Sequence, residues 1–456
     1  MAKKKQIELT IEEKLRNALV PKEEQLYKIP SNWCWSYWKY CGKFIAGNGF
    51  KNIYQGFTQY DIPYYKVGSL KFCDEGNYLI DETNTINEEI RTKLKAVKIP
   101  VNSIIFAKIG EAIKLNRRCL NKIECCIDNN LMAFISEKYF YKYIFYWTKS
   151  LNFYELTNAT TVPALRKTDL ENIPIPLPPL NEQQRIVNRI ESLFAKLDRA
   201  KELIENTLAQ FEQNKMAILH KAFTGELTAK WRKENNIDLS SWQEKTVDEL
   251  CTSLKYGTSK KSNPEGSVVV LRMGNLQNGE IDWSNLMYTD DKDDIEKYLL
   301  KKGDVLFNRT NSPELVGKTS IYRGEYPAIY AGYLIKLDYG KDIIGEYLNY
   351  MMNSTKAKHY CYTVKTDGVS QSNINAKKIG AFEIPVPTIE EQQEIVNILD
   401  RLLAKYNKIK NLEQQLEKIE LLKKAILAKA FRGELGTNNP DEESAENLLK
   451  EILAEK

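Results

Sequence analysis

The fold is decided by a stretch that occurs twice in the chain. The sequence IPLPPLNEQQRIVN occupies residues 175–188, and IPVPTIEEQQEIVN occupies residues 384–397, at an offset of 209 residues. A second pair of matching segments follows at an offset of 208, with AFTGEL at 222–227 and AFRGEL at 430–435. Because two separate matches recur at nearly one spacing, the sequence predicts an internal duplication.

Each copy predicts a long helix after a proline-rich run, because proline cannot continue a regular element. The candidate N-cap pairs are Asn181 with Gln184 and Glu390 with Gln393. Gly225 and Gly433 are expected to end the helices. Between these limits, apolar residues alternate in steps of three and four, the pattern of a coiled-coil seam. They are Ile186, Ile190, Leu193, Leu197, Ala200, Ile204, Leu208 and Phe211 in the first copy, and Ile395, Leu399, Leu402, Tyr406, Ile409, Leu412, Leu416, Ile419 and Ile426 in the second.

A helix of about 40 residues is roughly 60 Å long, and alone it cannot remove its apolar stripe from water. We therefore expect the two helices to pack on each other antiparallel, as a rod with a globular domain at each end. The alternative is that each helix packs on its own domain or on another chain. The predicted fold class is α+β, with two globular α/β domains separated by two long antiparallel coiled-coil helices in a pseudo-two-fold internal repeat.

The segments before the two helices share an alternating apolar pattern but little sequence. Trp33 and Trp242 are also 209 residues apart, and IFAK at 105–108 corresponds to LFNR at 306–309. The predicted organisation has six parts, which are an N-terminal helix and lead-in at 1–30, a globular domain at 31–180, a long helix at 181–227, a linker and second globular domain at 228–389, a second long helix at 390–435 and a C-terminal tail helix at 436–456.

Composition excludes several classes of protein. The chain has 456 residues, of which 43% are hydrophobic and 28% charged, an ordinary globular balance. Its apolar stretches are far shorter than the ~20 residues of a membrane span, and no signal peptide opens the chain. The eight cysteines include no C-x₂-C pair, and there are two histidines. We therefore expect a cytoplasmic protein with reduced thiols, no membrane association and no structural zinc site.

The motifs of several catalytic sites are incomplete or missing. Gly317-Lys318-Thr319 resembles the end of a phosphate-binding loop, but Ser312 stands where the first glycine belongs. Gly47-Asn48-Gly49 lacks the third glycine of a dinucleotide site, and the Asn-Pro-Pro-aromatic tetrapeptide of base-amino methyltransferases does not occur. An autonomous nuclease or methyltransferase is therefore disfavoured, and no cofactor is expected to bind this chain.

Charge instead favours binding to nucleic acid. The formal net charge is +5, and residues 31–172 contain 19 basic and 14 acidic residues against 19 and 18 in residues 242–381. Basic side chains and amides bind phosphates and read base edges. The candidate DNA-binding residues in locally basic stretches are Lys108, Lys114, Arg117, Arg118, Lys255, Lys260, Lys261 and Arg272.

These residues together resemble the specificity subunit of type I restriction–modification enzymes. The resemblance rests on the proline-rich run into NEQQRIV at 181–187, the long helix, the ending KAFTGEL at 221–227 and the repetition of this order. The opening IEEKL at 11–15 also resembles that family's lead-in to the first domain. The resemblance covers nearly the whole chain.

The resemblance implies two target-recognition domains that each bind one half of a bipartite double-stranded DNA sequence. Two methyltransferase (modification) subunits would dock on the coiled coil, and restriction subunits would join them. S-adenosylmethionine, ATP and Mg would be bound by those partners. By position in the family pattern, the resemblance adds Asn308, Arg309 and Lys318 to the DNA-facing residues, and Gln371 and Asn373 in the polar turn GVSQSN at 368–373. The first copy departs from that turn, with TTVPAL at 160–165.

Two alternatives remain at this point. The chain could be the DNA-recognition subunit of a related type II-like methylase–nuclease system, or a coiled-coil scaffold whose domains bind protein. Salt dependence separates DNA binding from a protein scaffold, because binding through several phosphates weakens steeply with salt.

Overall fold

The structure, a computed structural model, describes residues 9–157, 162–404 and 410–455, without the side chain of residue 410. Its contacts divide the chain into two units, the first formed by residues 1–202 and 415–456 and the second by residues 203–414. The division falls within the long helices. Among the described helices, none is both long and apolar enough to cross a membrane.

The first globular segment combines small sheets with short helices. Its elements are α1 (Ile11–Ala18), β1 (Cys34–Tyr37), β2 (Gly42–Ala46), β3 (Ile62–Tyr65), β4 (Thr85–Ile86), α2 (Glu88–Leu94), β5 (Ile104–Ala107), β6 (Arg118–Leu120), β7 (Cys126–Ile127), β8 (Leu131–Ser136), α3 (Tyr141–Ser150), α4 (Lys167–Glu171) and β9 (Pro174–Leu177). Four strands form an antiparallel sheet in the order β2-β8-β5-β6. A second sheet has the order β4-β3-β7, and β1 pairs with β9.

Aromatic side chains fill the core of this segment. Trp38 is fully buried, and its ring centroid lies 4.7 Å from that of Phe44 and 5.0 Å from those of Phe134 and Trp147. All four residues of β5 are buried. Because Trp147 belongs to α3, the main sheet and this helix share one core, as two packed layers do.

The second globular segment lies between two parts of the long helices. The elements from the first long helix onward are α5 (Leu180–Phe223), α6 (Ala229–Glu234), β10 (Gln243–Thr246), α7 (Val247–Leu250), β11 (Cys251–Tyr256), β12 (Val268–Leu271), β13 (Leu276–Gln277), β14 (Glu280–Ile281), β15 (Tyr288–Thr289), α8 (Lys292–Tyr298), β16 (Val305–Asn308), β17 (Thr310–Asn311), β18 (Thr319–Ile321), β19 (Ala328–Tyr330), β20 (Leu334–Tyr339), α9 (Gly345–Met352), α10 (Thr355–Val364), β21 (Thr366–Asp367), β22 (Ser372–Asn373), α11 (Ala376–Gly380), β23 (Glu383–Val386), α12 (Ile389–Ala404), α13 (Lys410–Ala430) and α14 (Ala445–Ala454).

The second segment repeats the sheets of the first. Its main antiparallel sheet has the order β11-β20-β16-β18, so β16 occupies the place of β5. The sheet β15-β12-β19 matches β4-β3-β7, and β10 pairs with β23 as β1 pairs with β9. The predicted correspondence between IFAK and LFNR is therefore confirmed, with Phe106 and Phe307 both fully buried.

The repeated Glu-Gln-Gln triplet connects each long helix to its own globular segment. Trp33 donates its indole N–H to Glu182 over 2.8 Å, and Trp242 donates to Glu391 over 2.9 Å. The following glutamines, Gln183 and Gln392, both accept a backbone N–H and donate to a proline carbonyl. Each buried carboxylate or amide thus has a hydrogen-bond partner in its own globular segment or in the proline-rich run, which explains why both copies retain these residues.

The helices begin slightly earlier than the sequence predicted. The first turn of α5 starts at Leu180, with the backbone N–H of Gln183 bonded to the carbonyl of Pro179. In α12, Thr388 accepts from the N–H of Glu391 over 3.4 Å. The expectation of N-caps at Asn181 and Glu390 is therefore wrong, because the proline-rich run already supplies the first helical acceptors.

The ends of the long helices pack on the opposite globular segments, as the duplication predicts for antiparallel helices. In the first unit, Phe431 lies 5.4 Å from the ring of Tyr143, and in the second, Phe223 lies 5.3 Å from the ring of Tyr347. Each phenylalanine precedes a glycine by two residues, and these glycines have φ of 81° at Gly225 and 75° at 433. A positive φ ends a helix.

Side-chain pairs in the first unit establish the direction of the helices. Asp198 of α5 contacts Lys423 of α13, and Lys201 contacts Glu420 over 3.9 Å. As one residue number rises, the other falls, so these segments are antiparallel. The predicted second long helix consists of α12 and α13, and its seam positions Tyr406 and Ile409 lie outside the described residues.

The C-terminal tail completes the first unit. Helix α14 packs on α1, and Asn32 donates its amide to the carbonyl of Asn439 over 2.9 Å. Asn438 donates to Glu182 over 2.9 Å. In the second unit, Arg232 of the linker helix α6 makes the contact that corresponds to Asn438, a buried ion pair of 2.6 Å with Glu391.

One expectation about the cysteines is wrong. The structure joins Cys73 and Cys119 as a disulfide, whereas the composition predicted reduced thiols throughout. The two residues are 46 positions apart, and only the sheet geometry brings them together. Burial raises the pKa of Cys126 to about 11, which is consistent with a protonated core thiol.

Candidate nucleic-acid interface

Arg309 lies at one edge of the second unit, directly after the central strand β16. Its backbone N–H donates to Tyr333 O over 3.0 Å, and its carbonyl accepts from the N–H of Ile374 over 2.8 Å. Its guanidinium donates to the Asn373 amide oxygen and lies 4.9 Å from the ring centroid of Tyr256. A half-buried arginine fixed by an amide and an aromatic ring is a preorganised group for planar recognition.

A short hairpin, β21 and β22, supplies the second part of this edge. Its turn closes through a 2.8 Å bond from the N–H of Gly368 to the carbonyl of Gln371, and Asp367 accepts from the Ser372 hydroxyl. Strand β22 also pairs with β17, next to Arg309. Gln371 and the fully solvent-exposed Val369 lie at the tip. We call Tyr256, Arg309 and residues 366–373 the recognition edge.

The other predicted DNA-binding residues of the second unit differ in how far they are exposed. Lys318 is half-buried and donates to Gln277 over 2.8 Å, and burial lowers its pKa. Lys255 is exposed and pairs with Asp338 over 2.9 Å. Asn308 is fully buried and donates to the backbone of Met273, so the expectation that it faces DNA is wrong. All four residues of β16 are buried, so both faces of this strand lie in the core.

A second group of predicted residues lies near the smaller sheet. Lys260 is exposed and forms ion pairs with Asp291 at 2.7 Å and Asp294 at 3.3 Å. The hydrogen bond to Asp291 raises the pKa of Lys260. Lys261 is exposed, whereas Arg272 is half-buried and bonded to Asn285. The contacts do not connect these lysines with the recognition edge, so they remain predicted DNA contacts only.

The first unit places Lys108 as the second unit places Arg309. The N–H of Lys108 donates to Asn130 O over 2.9 Å, and its carbonyl accepts from the N–H of Leu165 over 2.8 Å. The turn of the first copy therefore reaches the same strand end, although its sequence differs. Thr160 and Thr161 of that turn lie outside the described residues.

The remaining basic candidates of the first unit separate into exposed and buried residues. Arg117 is exposed, and Lys114 is exposed and paired with Glu111 at 2.7 Å. Arg118 is 2% exposed, donates to Leu151 O over 2.8 Å and lies 3.8 Å from the ring centroid of Phe153. Burial lowers its pKa to about 9. The expectation that Arg118 contacts DNA is therefore wrong, because its guanidinium is a buried structural group.

Two glycines important for these edges were missed as a pair. A Cβ at Gly47 would lie 1.9 Å from the carbonyl oxygen of Asp128, and one at Gly257 would lie 2.1 Å from that of Tyr330. Both follow the edge strand of the main sheet and permit a close crossing of two chain segments. The signal in the sequence is a glycine directly after the first strand of each main sheet, and Gly47 also belongs to the incomplete dinucleotide motif Gly47-Asn48-Gly49.

Lys108 and Arg309 thus follow equivalent strands in the two units, and similarity to known proteins gives the class of the chain. The family described as the type I restriction modification DNA specificity domain matches residues 52–210 and 240–421. The chain belongs to this family, whose members are DNA-recognition components and not catalytic ones.

Individual relatives agree with this family. The chain is 30% identical over 315 residues to the specificity subunit of the type I restriction enzyme EcoKI of Escherichia coli K12, covering 66% of this chain and 68% of the relative. It is 29% identical over 335 residues to the StySPI specificity subunit of Salmonella potsdam, covering 69% and 71%.

Solved structures support the fold. A chain of a type I R-M system, described for its complex assembly and conformational transition, has a TM-score of 0.66 at 19% identity and covers 90% of this chain and 100% of that one. The HsdS subunit from Thermoanaerobacter tengcongensis has a TM-score of 0.50 at 19% identity, covering 90% and 99%. At this identity the likeness concerns the fold alone.

Proposed function

We propose that each unit reads one half of a bipartite double-stranded DNA target, the second through the recognition edge and the first through the edge at Lys108. The observation that carries this proposal is the duplication of the edge. Lys108 and Arg309 follow equivalent central strands and accept equivalent backbone bonds from Leu165 and Ile374. Two similar edges with different side chains suit two different half-sequences.

The proposal includes the partners of the complex. The chain works with methyltransferase and restriction subunits, and two methyltransferase subunits dock on the paired helices, one for each copy of the repeat. Those partners bring S-adenosylmethionine for methylation, and ATP and Mg for the restriction step. The complex acts in the cytoplasm, where the DNA lies.

The test is methylome sequencing at base resolution in a host that carries this chain with its modification subunits. We expect a two-part motif with a fixed gap, methylated only when the chain is present. Arg309→Ala should relax or change one half of the motif, and Lys108→Ala the other half. Lys297→Ala, which removes an exposed charge from α8, is the matched control and should leave the motif unchanged.

Two results would contradict the proposal. Methylation that does not depend on the chain would remove its role in specificity and favour a scaffold. A change in both half-sequences from the single variant Arg309→Ala would contradict the assignment of one half to each unit.

A further inference from the structure

A cleft of about 370 Å³ in the second unit brings together lysines from three elements. Lys215 comes from α5, Lys318 from the segment before β18, and Lys358 from α10. We call the space between these three side chains the lysine cleft. None of the elements predicts it alone, because the lysines are far apart in sequence.

The lysine cleft contrasts with its surroundings in how its charges are satisfied. Lys356 on the same helix pairs with Glu244 at 3.3 Å. Among the described residues, the side-chain partner of Lys318 is a neutral group, the amide oxygen of Gln277. Within the described part of the chain, Lys215 and Lys358 form no ion pair and no side-chain hydrogen bond.

The electrostatics of the cleft favour an anion. Burial lowers the pKa of Lys358, and repulsion from Lys215 lowers it further. The attraction of Glu212 raises this pKa by less than Lys215 lowers it. Glu212 and Glu314 are the carboxylates that also line the cleft. An anion bound among the ammonium groups would remove this repulsion, since an opposite charge favours the charged form.

The cleft is connected to the recognition edge through neighbouring residues of the chain. The N–H of Asn308 donates to Lys318 O over 2.8 Å, so Lys318 lies beside the strand end that carries Arg309. Tyr362, which lines the cleft and is 68% exposed, is on the helix that leads into the hairpin. A strand of nucleic acid on the recognition edge therefore has a positively charged neighbour.

The first unit shows how the same position is neutralised internally. Lys215 corresponds to Lys423 at the offset of 208, and Lys423 contacts the carboxylate of Asp198. The counterparts of Asp198 fall within residues 405–409, KYNKI, which contain no carboxylate and lie outside the described residues. The second copy has thus kept the lysine and lost the acid.

We propose that the lysine cleft binds a backbone phosphate of the DNA held on the recognition edge. This inference rests on the proposed function and extends it from base reading to positioning on the phosphate chain. The chemistry is that of a phosphate oxygen accepting from two or three ammonium groups. A free phosphate ion would present the same chemistry, so the experiment separates the two sources.

The experiment measures DNA binding by the full chain in complex with its modification subunits, by fluorescence anisotropy at several salt concentrations. The variant K215Q/K358Q is compared with K356Q/K297Q, which also removes two lysine charges. We expect K215Q/K358Q to weaken binding on the order of tenfold, equally for a duplex with the target and a scrambled duplex. The slope of log affinity against log salt should fall by about 1 to 2, while the methylated motif stays unchanged. The control should match the wild type.

An affinity and salt slope of K215Q/K358Q equal to those of K356Q/K297Q would overturn the proposal. Thermal stabilisation by inorganic phosphate that K215Q/K358Q loses, together with an unchanged salt slope, would overturn it in favour of a free anion. A wild-type complex that does not distinguish the two duplexes would instead contradict the proposed function, so the two failures are distinguishable.

Discussion

The two units use the same frame but neutralise its central glutamate differently. In the second unit, Glu391 accepts from Trp242 and Thr228 and forms a buried ion pair with Arg232. In the first, Glu182 accepts from Trp33 and Asn438, and burial raises its pKa. The Glu-Gln-Gln triplet therefore specifies the connection between each long helix and its globular segment. The segment that supplies Arg232 or Asn438 determines the electrostatic cost of burying the glutamate.

The largest difference between the units should follow from removing Arg232. Arg232→Ala leaves Glu391 as a buried unpaired charge, which costs about 3–5 kcal/mol. Glu182→Gln in the first unit should cost about 1 kcal/mol, because an amide can still accept from Trp33. Hydrogen exchange measured on peptides from each unit checks both values, and equal effects in the two units would contradict the comparison.

Substitution of the equivalent glycines, Gly47 and Gly257, should have similar effects in the two units. Gly47→Ala and Gly257→Ala place a methyl group against a carbonyl oxygen, and each should destabilise its own unit by about 1–3 kcal/mol. Gly49→Ala is the matched control, because a Cβ there would have no atom within 4 Å. Denaturant unfolding measures these changes. A loss at Gly49→Ala as large as that at Gly47→Ala would show that glycine flexibility, not close approach, matters.

A carboxylate of the second unit should show a difference that depends on pH. Burial opposes ionisation of Asp338, but hydrogen bonds from Lys255, Lys336 and Ser253 prevail and lower its pKa to about 2. The ionised carboxylate therefore stabilises the fold at pH values above its ordinary pKa of 3.8. This stabilisation is lost as the pH falls through about 2. Asp338→Asn should cost about 1 kcal/mol at neutral pH, after allowance for solvent screening.

Unfolding of Asp338→Asn and wild type between pH 7 and pH 2 tests this sign. The difference should disappear toward pH 2. A difference that stays constant over this range would show that the carboxylate charge is not responsible.

The smallest effect is expected for the ion pair between Asp198 and Lys423. The Asp198 side chain is 56% exposed, so Asp198→Asn should cost about 0.2–1 kcal/mol and less at high salt. Thermal unfolding at low and high salt measures it. In the same variant, Lys423 loses its carboxylate and becomes more similar to Lys215 of the lysine cleft. A cost that does not depend on salt would contradict an electrostatic origin.

The long helices and the duplicated frame could be predicted because their evidence is local and repeated. The seam of α5 and the Glu-Gln-Gln triplets each lie within a few turns of chain. The DNA-facing residues were harder to predict. Arg118 and Asn308 are of residue types that often contact DNA, but both are buried. Both residues lie in strands that are buried on both faces, and the residue type alone cannot reveal this.

The sequence by itself determined the duplication, the approximate extent of the long helices and the resemblance to the family, because repeated motifs and their spacing are properties of the chain. Only the tertiary structure decided which polar groups face solvent and which neutralise one another. The Cys73–Cys119 disulfide, the Arg309–Asn373 contact and the lysine cleft each join residues that are 40 or more positions apart. Their chemistry depends on distance and burial, which arise from packing and not from order along the chain.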